Sequence, residues 1–242
     1  MVPDTKHSTD VPKTFGEHIL EVRSRLLSST LFLLVGSIIG YYFNQEIFEV
    51  LIKPLNQPVF YSSPSGGFDF VFKTSLLFGF LFSLPVFTYN LIRFLEPLFS
   101  ERSVAVLLSM FLFSCLLLST GIAFGYFVSL PAALYFLNAF ATDNVQALIS
   151  ADEYFSFVAR YLLGFGLLFQ LPLFLIAINE VHPLTARQLL SYEKWIIVLS
   201  FVVAAILTPT PDLLNQTVMA IPIIILYQVS VIAIWLANRT SA

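Results

Sequence analysis

The sequence is poor in charge, and this scarcity sets its class. Only 11% of its 242 residues are charged and 57% are hydrophobic, whereas about a quarter of an average soluble domain is charged. No polar segment is long enough to bury a hydrophobic core of its own. The composition therefore excludes a soluble globular domain and indicates an integral membrane protein. The net charge of −3 gives no reason to expect binding to nucleic acid.

Cysteine and histidine are also scarce. The single cysteine, Cys115, lies in an apolar run, so no intramolecular disulfide can form. His7, His18 and His182 all fall in segments predicted to lie outside the membrane. No HExxH, Walker or GxGxxG pattern occurs, and no span carries the histidine that an intramembrane serine protease would use. We predict no enzymatic activity, no metal and no cofactor.

The long apolar runs predict an all-α integral membrane protein with six transmembrane helices in a single domain, 1–242. The spans are expected at about 26–43, 70–92, 104–130, 154–179, 193–208 and 214–236. The polar residues 1–12 are predicted to be a disordered tail. Residues 13–25 are predicted to form an amphipathic helix at the membrane interface.

Lysine and arginine are divided unevenly between the two sides of these spans. With a cytosolic N-terminus, nine lie inside, namely Lys6, Lys13, Arg23, Arg25, Arg93, Arg102, Arg187, Lys194 and Arg239. Three lie outside, namely Lys53, Lys73 and Arg160. The positive-inside rule therefore places both termini, and the loop at 93–102, in the cytosol.

Two features predict an irregular bundle. Pro85, Pro172 and Pro222 lie within spans and are expected to kink them. The strictly apolar part of the fifth span covers only 195–207, about 20 Å of helix against roughly 30 Å of hydrocarbon. We expect a kinked bundle with a concave wall open to lipid. Two helix starts are expected to carry capping boxes, Ser150 with Glu153 and Thr185 with Gln188.

Polar residues suggest two kinds of functional site. The loop at 93–102 is either a docking surface or a simple connection in which Glu101 favours the dipole of the next helix. Intramembrane polar groups are candidates for a solute pathway, and here they are Lys73, Arg160, Gln170, Gln216 and Gln228. Lys73 and Arg160 could also snorkel toward the outer surface, and the amide of Gln170 needs partners on another helix.

Four segments, in this order and spacing, resemble the TatC family, the large membrane subunit of twin-arginine protein translocases. They are HILEVRSRLL at 18–27, FLEPLFSER at 94–102 with the preceding Leu84 and Pro85, GIAFGYF at 121–127 with Pro131, and LTP at 207–209 with Asp212 and Gln216. The resemblance covers nearly the whole chain from Phe15 to Leu236.

The resemblance implies a receptor for twin-arginine signal peptides of folded cargo, driven by the proton-motive force. The implied partners are single-span proteins of the TatA and TatB types, further copies of the chain, and the lipid bilayer. The implied location is the bacterial plasma membrane, with the thylakoid membrane as the alternative. A six-span small-solute transporter remains the alternative function.

The family's sites carry over to particular positions. The signal-peptide site would comprise Phe94 and Glu101, aided by Glu21 and Arg23, with Glu96 and Pro97 in the same loop. The resemblance also implies Gln170 and Phe169 on the concave wall, and Thr208, Asp212 and Gln216 against partner helices. Lys73 is added to these sites as an intramembrane polar residue. Gln170 stands where many members have a glutamate, so it cannot exchange a proton there.

Overall fold

The computed structural model describes residues 15–61, 63–95, 104–139, 148–208 and 212–240. These residues form nine α-helices in the order α1 Phe15–Tyr42, α2 Asn44–Ile52, α3 Gly66–Leu95, α4 Val104–Phe124, α5 Leu130–Asn138, α6 Ala151–Leu168, α7 Leu171–Val181, α8 Ala186–Leu207 and α9 Leu213–Thr240. A π-helical segment, Gly125–Ser129, joins α4 to α5. The extended backbone seen in this part of the chain is an isolated bridge between Phe60 and Ser150.

Six helical stretches in the described residues are long and apolar enough to cross a membrane: 23–42, 66–90, 108–138, 151–179, 186–207 and 213–239. The prediction of an all-α membrane protein with six spans is therefore confirmed. Large apolar side chains such as Ile38 and Ile206, 70% and 72% exposed, point outward where a bilayer would cover them. The helix α1 runs without interruption from the predicted interfacial segment into the first span. The interfacial position of 13–25 stays a prediction, and the tail 1–12 lies outside the described residues.

The fourth span is two helices rather than one. The helix α6 ends at Leu168, and α7 begins at Leu171 after a tight turn in which the Gln170 N–H donates to Leu167 O at 3.0 Å. Pro172 lies in the first turn of α7, where its missing N–H costs no hydrogen bond. Pro85 and Pro222, in contrast, lie inside the continuous helices α3 and α9.

The helix α6 is the most buried span, and α1 and α8 are the least buried. The α6 side chains Val158, Tyr161 and Phe165 are almost fully buried. The helix α5 contributes Leu130 and Ala133 to the same core. The bundle is therefore organised around α6, with α1 and α8 at its periphery.

The nine residues of α2 and the turn after them lie between the first two predicted spans, where no helix was predicted. The carbonyl groups in the last turn of a helix lack partners within it. Two tyrosine hydroxyls satisfy consecutive carbonyls there, Tyr126 to Val50 O at 2.6 Å and Tyr154 to Leu51 O at 2.7 Å. These bonds fix α2 against the spans.

The two predicted capping boxes have different outcomes. The box at Thr185 is confirmed, because Gln188 N–H donates to Thr185 Oγ1 at 3.3 Å and Thr185 N–H donates to Gln188 Oε1 at 3.0 Å. The box at Ser150 is wrong, because Ser150 is the N-cap residue but its side chain makes no capping bond. The N–H of Ala151, the first residue of α6, donates to Phe60 O at 2.9 Å, so backbone pairing satisfies one of the first N–H groups of this helix.

Glycines of α1 and α3 form a close contact between these two helices. A Cβ built on Gly36 would lie 2.9 Å from the Cα of Gly79, and one on Gly79 would lie 2.6 Å from Leu33 O. Glycines allow membrane helices to approach until their backbones touch. This close approach fixes how α1 and α3 are aligned.

We predict that Gly79→Ala destabilises the protein by about 1–3 kcal/mol, because the added methyl group overpacks a backbone contact. Alanine normally stabilises a helix interior by up to about 1 kcal/mol relative to glycine, so the sign of the change is diagnostic. The measurement is the free energy of unfolding in detergent. Gly67→Ala is the control, since its Cβ would come no nearer than 4.0 Å to any neighbour considered. Equal stability of the two variants would contradict the contact.

Candidate functional site

A hydrogen-bonded clamp joins α1 and α3 near the loop that follows α3. The Nη1 atom of Arg25 donates to Asn90 O at 2.8 Å, and the Nδ2 atom of Asn90 donates to Arg25 O at 3.3 Å and to Ser29 Oγ at 3.0 Å. Ser29 Oγ also donates to Arg25 O at 3.1 Å. The side chains of Arg25, Ser29 and Asn90 thus connect the two helices, and they bond to backbone carbonyl groups of both.

This clamp has the same register as the glycine contact. Arg25 faces Asn90 and Gly36 faces Gly79. The 11-residue step from position 25 to position 36 in α1 therefore lies alongside the 11-residue step from position 90 back to position 79 in α3, so the two helices are antiparallel. Continuing that antiparallel register by one turn places position 21 of α1 opposite position 94 of α3. The backbone therefore brings together the helix ends that carry Glu21 and Phe94.

The other predicted signal-peptide residues are placed only in part. Arg23 is an exposed residue of α1, two positions before the clamp. Glu96, Pro97 and Glu101 lie outside the described residues, so their contribution to this site stays a prediction.

Gln170 is buried where α6 gives way to α7, with 4% of its surface exposed. Its Oε1 accepts from Ser114 Oγ at 2.8 Å and its Nε2 donates to Ser114 O at 3.1 Å. Both ends of the amide are therefore satisfied by one residue of α4, as a polar group inside a membrane requires.

Phe169 lies beside Gln170 in an aromatic cluster. Its ring centroid is 5.9 Å from that of Phe124 and 6.4 Å from that of Phe165. A Cβ on Gly121 would lie 2.6 Å from Phe165 O, so α4 and α6 touch closely at this level. The interior position of Gln170 and Phe169 follows from these contacts, whereas their membership of a concave wall stays a prediction.

Lys73 is not an isolated charge, because it forms an ion pair with Asp152 between the N-terminal ends of α3 and α6. Both side chains are about half exposed. A surface ion pair of this kind typically contributes about 0–1 kcal/mol. Its consequence here is that the carboxylate of Asp152 is already neutralised.

The residues expected to meet partner helices border the turn between α8 and α9. Thr208 ends α8, with its Oγ1 and its N–H donating to Ala204 O at 2.9 and 2.8 Å. Asp212 precedes α9 and accepts hydrogen bonds from Asn215 N at 2.7 Å and Nδ2 at 2.9 Å. Gln216 is half-buried one turn into α9. Thr208 and Asp212 therefore also have structural roles as helix caps.

Two polar contacts in the spans were missed by sequence reasoning. Gln228 Nε2 donates to Glu193 Oε1 at 2.7 Å between α9 and α8, and Asn179 and Asn238 exchange hydrogen bonds at 3.1 and 3.3 Å between α7 and α9. Asn238 also donates to Leu184 O at 2.9 Å. The sequence signal that could have indicated these contacts is the presence of polar residues within apolar segments. The described residues contain no group of three or more acidic, histidine or cysteine side chains suited to a metal.

Comparison with known proteins gives consistent matches. The family model of the Sec-independent protein translocase protein TatC matches residues 17–222. The chain is 35% identical over 230 residues to the Sec-independent protein translocase protein TatC of Aquifex aeolicus, covering 92% of this chain and 95% of that protein. It is 31% identical over 223 residues to the uncharacterized tatC-like protein ycf43 of Trieres chinensis, covering 92% and 85%. A crystal structure of the twin arginine translocase receptor TatC in DDM matches with a TM-score of 0.80 and 34% identity, covering 90% of this chain and 99% of that one.

The paired bonds of Ser114 and Gln170 predict energetic coupling between α4 and the α6–α7 turn. In a double-mutant cycle with Ser114→Ala and Gln170→Ala, we expect a coupling energy of about 0.6–1.7 kcal/mol, the range found for hydrogen bonds between membrane helices. The measurement is the unfolding free energy of the four proteins in detergent. Ser119→Ala serves as the control, because its hydroxyl bonds to Cys115 O in its own helix. Additive effects of Ser114→Ala and Gln170→Ala would contradict the contact.

Proposed function

The chain belongs to the TatC family of Sec-independent protein translocase proteins, and from this premise we propose that it is the receptor that binds twin-arginine signal peptides of folded cargo. The family model covers residues 17–222 and therefore includes the first five candidate spans and the beginning of the sixth, which runs from 213 to 239. A solved receptor of this family shares the fold over 90% of the chain. The chain is accordingly a subunit for the transport of proteins.

The proposed binding site depends on the register of α1 against α3. In this register positions 21 and 94 lie opposite each other, with the exposed Arg23 nearby. The proposed site comprises Glu21, Arg23 and Phe94, completed by Glu96, Pro97 and Glu101 of the following loop. Carboxylates bind guanidinium groups through two parallel hydrogen bonds, a geometry that lysine cannot reproduce. This chemistry accounts for a preference for paired arginines.

The proposed partners include single-span proteins of the TatA and TatB types and further copies of the chain. The turn between α8 and α9 supports this placement, because Ile206, Leu213 and Leu214 beside it are 68–73% exposed. Thr208, Asp212 and Gln216 lie in the same region. Partner helices would cover these apolar side chains within the bilayer, and the proton-motive force would drive assembly and transport.

The chain is a multi-pass membrane protein, and we assign it to the bacterial plasma membrane with both termini in the cytosol. The uneven distribution of lysine and arginine supports this orientation. The similarity to ycf43 of Trieres chinensis makes the thylakoid membrane the alternative location.

The alternative of a small-solute transporter is not favoured. Two of the intramembrane glutamines are engaged with protein groups, Gln170 with Ser114 and Gln228 with Glu193. Both glutamines join helices to each other. Their contacts account for these two glutamines without a solute pathway.

The proposed function predicts selective capture of peptides. The chain in detergent should retain a signal peptide with Arg-Arg and release the same peptide with Lys-Lys. Phe94→Ala and Glu101→Ala should each weaken photo-crosslinking of the Arg-Arg peptide without lowering the amount of protein in the membrane. Loss of one charged hydrogen bond corresponds to about tenfold or more in affinity. Equal retention of both peptides would contradict twin-arginine recognition, and full crosslinking in both variants would contradict the site.

Asn90 is predicted to position this site without touching the peptide. Asn90→Ala removes two donated hydrogen bonds to α1 and should lower crosslinking of the Arg-Arg peptide several-fold. Asn90→Gln, which keeps the amide, should restore part of it. The control is Asn44→Ala, because Asn44 bonds to Tyr41 O at the opposite end of α1. Unchanged crosslinking in a folded Asn90→Ala protein would show that the clamp does not position the site.

A further inference from the structure

A cavity of about 570 Å³ lies at the outer end of the bundle, away from the proposed signal-peptide site. Its volume is within the roughly 300–1,000 Å³ typical of ligand pockets. Its wall combines apolar side chains of α5 and α6 with three charged residues, Asp152, Glu153 and Arg160. An amphiphilic cavity in a membrane protein indicates an amphiphilic ligand.

The cation in this wall has no anionic partner among the described residues. Arg160 makes one hydrogen bond, from Nε to Ser156 O of its own helix at 3.1 Å, and its side chain is exposed. An arginine within a span is costly unless its guanidinium finds an anion or reaches water. Arginine is also well suited to a phosphate, which accepts two parallel hydrogen bonds from the guanidinium.

The two acids of the wall are not equivalent. Asp152 is paired with Lys73, whereas Glu153 has no ion-pair partner in the described part of the chain. One carboxylate is therefore available for a cationic group. The cavity thus offers one site for an anion and one for a cation.

The order of these charges along α6 matches the order of groups in a phospholipid. The helix begins at Ala151 near the membrane surface and runs inward, so Glu153 is shallow and the Cα of Arg160 lies about 10 Å deeper along the axis. The Arg160 side chain leans back toward the start of α6, where its Nε bonds to Ser156 O, and this shortens the distance between the two charges. In a zwitterionic lipid the ammonium group is outermost and the phosphate lies below it. Apolar side chains, among them Leu134, Leu137 and Phe157, line the wall beside these charges.

We propose that this cavity is a phospholipid site that holds the phosphate on Arg160 and a primary ammonium headgroup on Glu153. The ligand class is phosphatidylethanolamine. Phosphatidylcholine carries the same charges, but its quaternary ammonium cannot donate hydrogen bonds to the carboxylate. Phosphatidylglycerol carries the phosphate without any cation for Glu153. The site is separate from the α1–α3 clamp and does not depend on signal-peptide binding.

The test uses the purified full chain in dodecyl maltoside micelles with added dioleoyl lipids. Binding to the folded state raises the thermal unfolding midpoint, and the rise grows with the logarithm of the ligand concentration relative to the dissociation constant. Dioleoylphosphatidylethanolamine should raise the midpoint more than equal amounts of the phosphatidylcholine or phosphatidylglycerol analogue. Equal or larger shifts with either analogue would overturn the assignment of the ammonium to Glu153.

Three variants separate the two contacts. Arg160→Ala should need about tenfold more phosphatidylethanolamine for the same shift, because a charged hydrogen bond is lost. Glu153→Gln should reduce the response to phosphatidylethanolamine to the level of phosphatidylcholine. Lys194→Ala, which removes an exposed charge from α8, should respond as the unaltered chain does. A wild-type response in Arg160→Ala would overturn the site.

If Arg160→Ala does not fold, Arg160→Gln is compared with the unaltered chain by native mass spectrometry. Fewer phosphatidylethanolamine molecules retained by Arg160→Gln would support the site. Equal retention by the two proteins would overturn it.

Discussion

The antiparallel register of α1 and α3 is the constraint on which the proposed binding site depends. Gly36 and Gly79 allow the two backbones to touch, and this contact leaves no freedom for one helix to slide along the other. Arg25 and Asn90 repeat the same alignment nearer the C-terminal end of α3. Two unrelated kinds of interaction, steric contact and hydrogen bonding, therefore specify one alignment. Because Glu21 and Phe94 are each one turn beyond the clamp, that alignment decides whether they belong to one site.

Polar contacts between helices also join the rest of the bundle. Ser114 satisfies the whole amide of Gln170 at the α6–α7 break, and Tyr126 and Tyr154 satisfy the last carbonyls of α2. In a bilayer, leaving any of these groups without a partner would raise the free energy of the folded protein. The spans can therefore be interrupted at α6–α7, and a short helix can lie on the outer face, without leaving these backbone and amide groups unpaired.

The sequence was sufficient for features that depend on local pattern. Apolar run length predicted the six spans, and the Thr185 box was predicted from four residues. Pro172 predicted a distortion, but whether a helix bends or breaks depends on partners such as Ser114, which lies 56 positions away in sequence. The clamp between Arg25 and Asn90, 65 positions apart, depends on tertiary register in the same way. The helix α2 was missed because its acids and the neighbouring prolines are typical of a loop.

The most direct test of the α1–α3 register is disulfide formation between cysteines placed at positions 21 and 94, with Cys115 replaced by serine. Mild oxidation of the membrane-embedded chain should join position 94 to position 21, and joining to position 17 should be much slower, because that position lies one turn farther along α1. Efficient joining of positions 17 and 94, with none between 21 and 94, would show that the helices have another register.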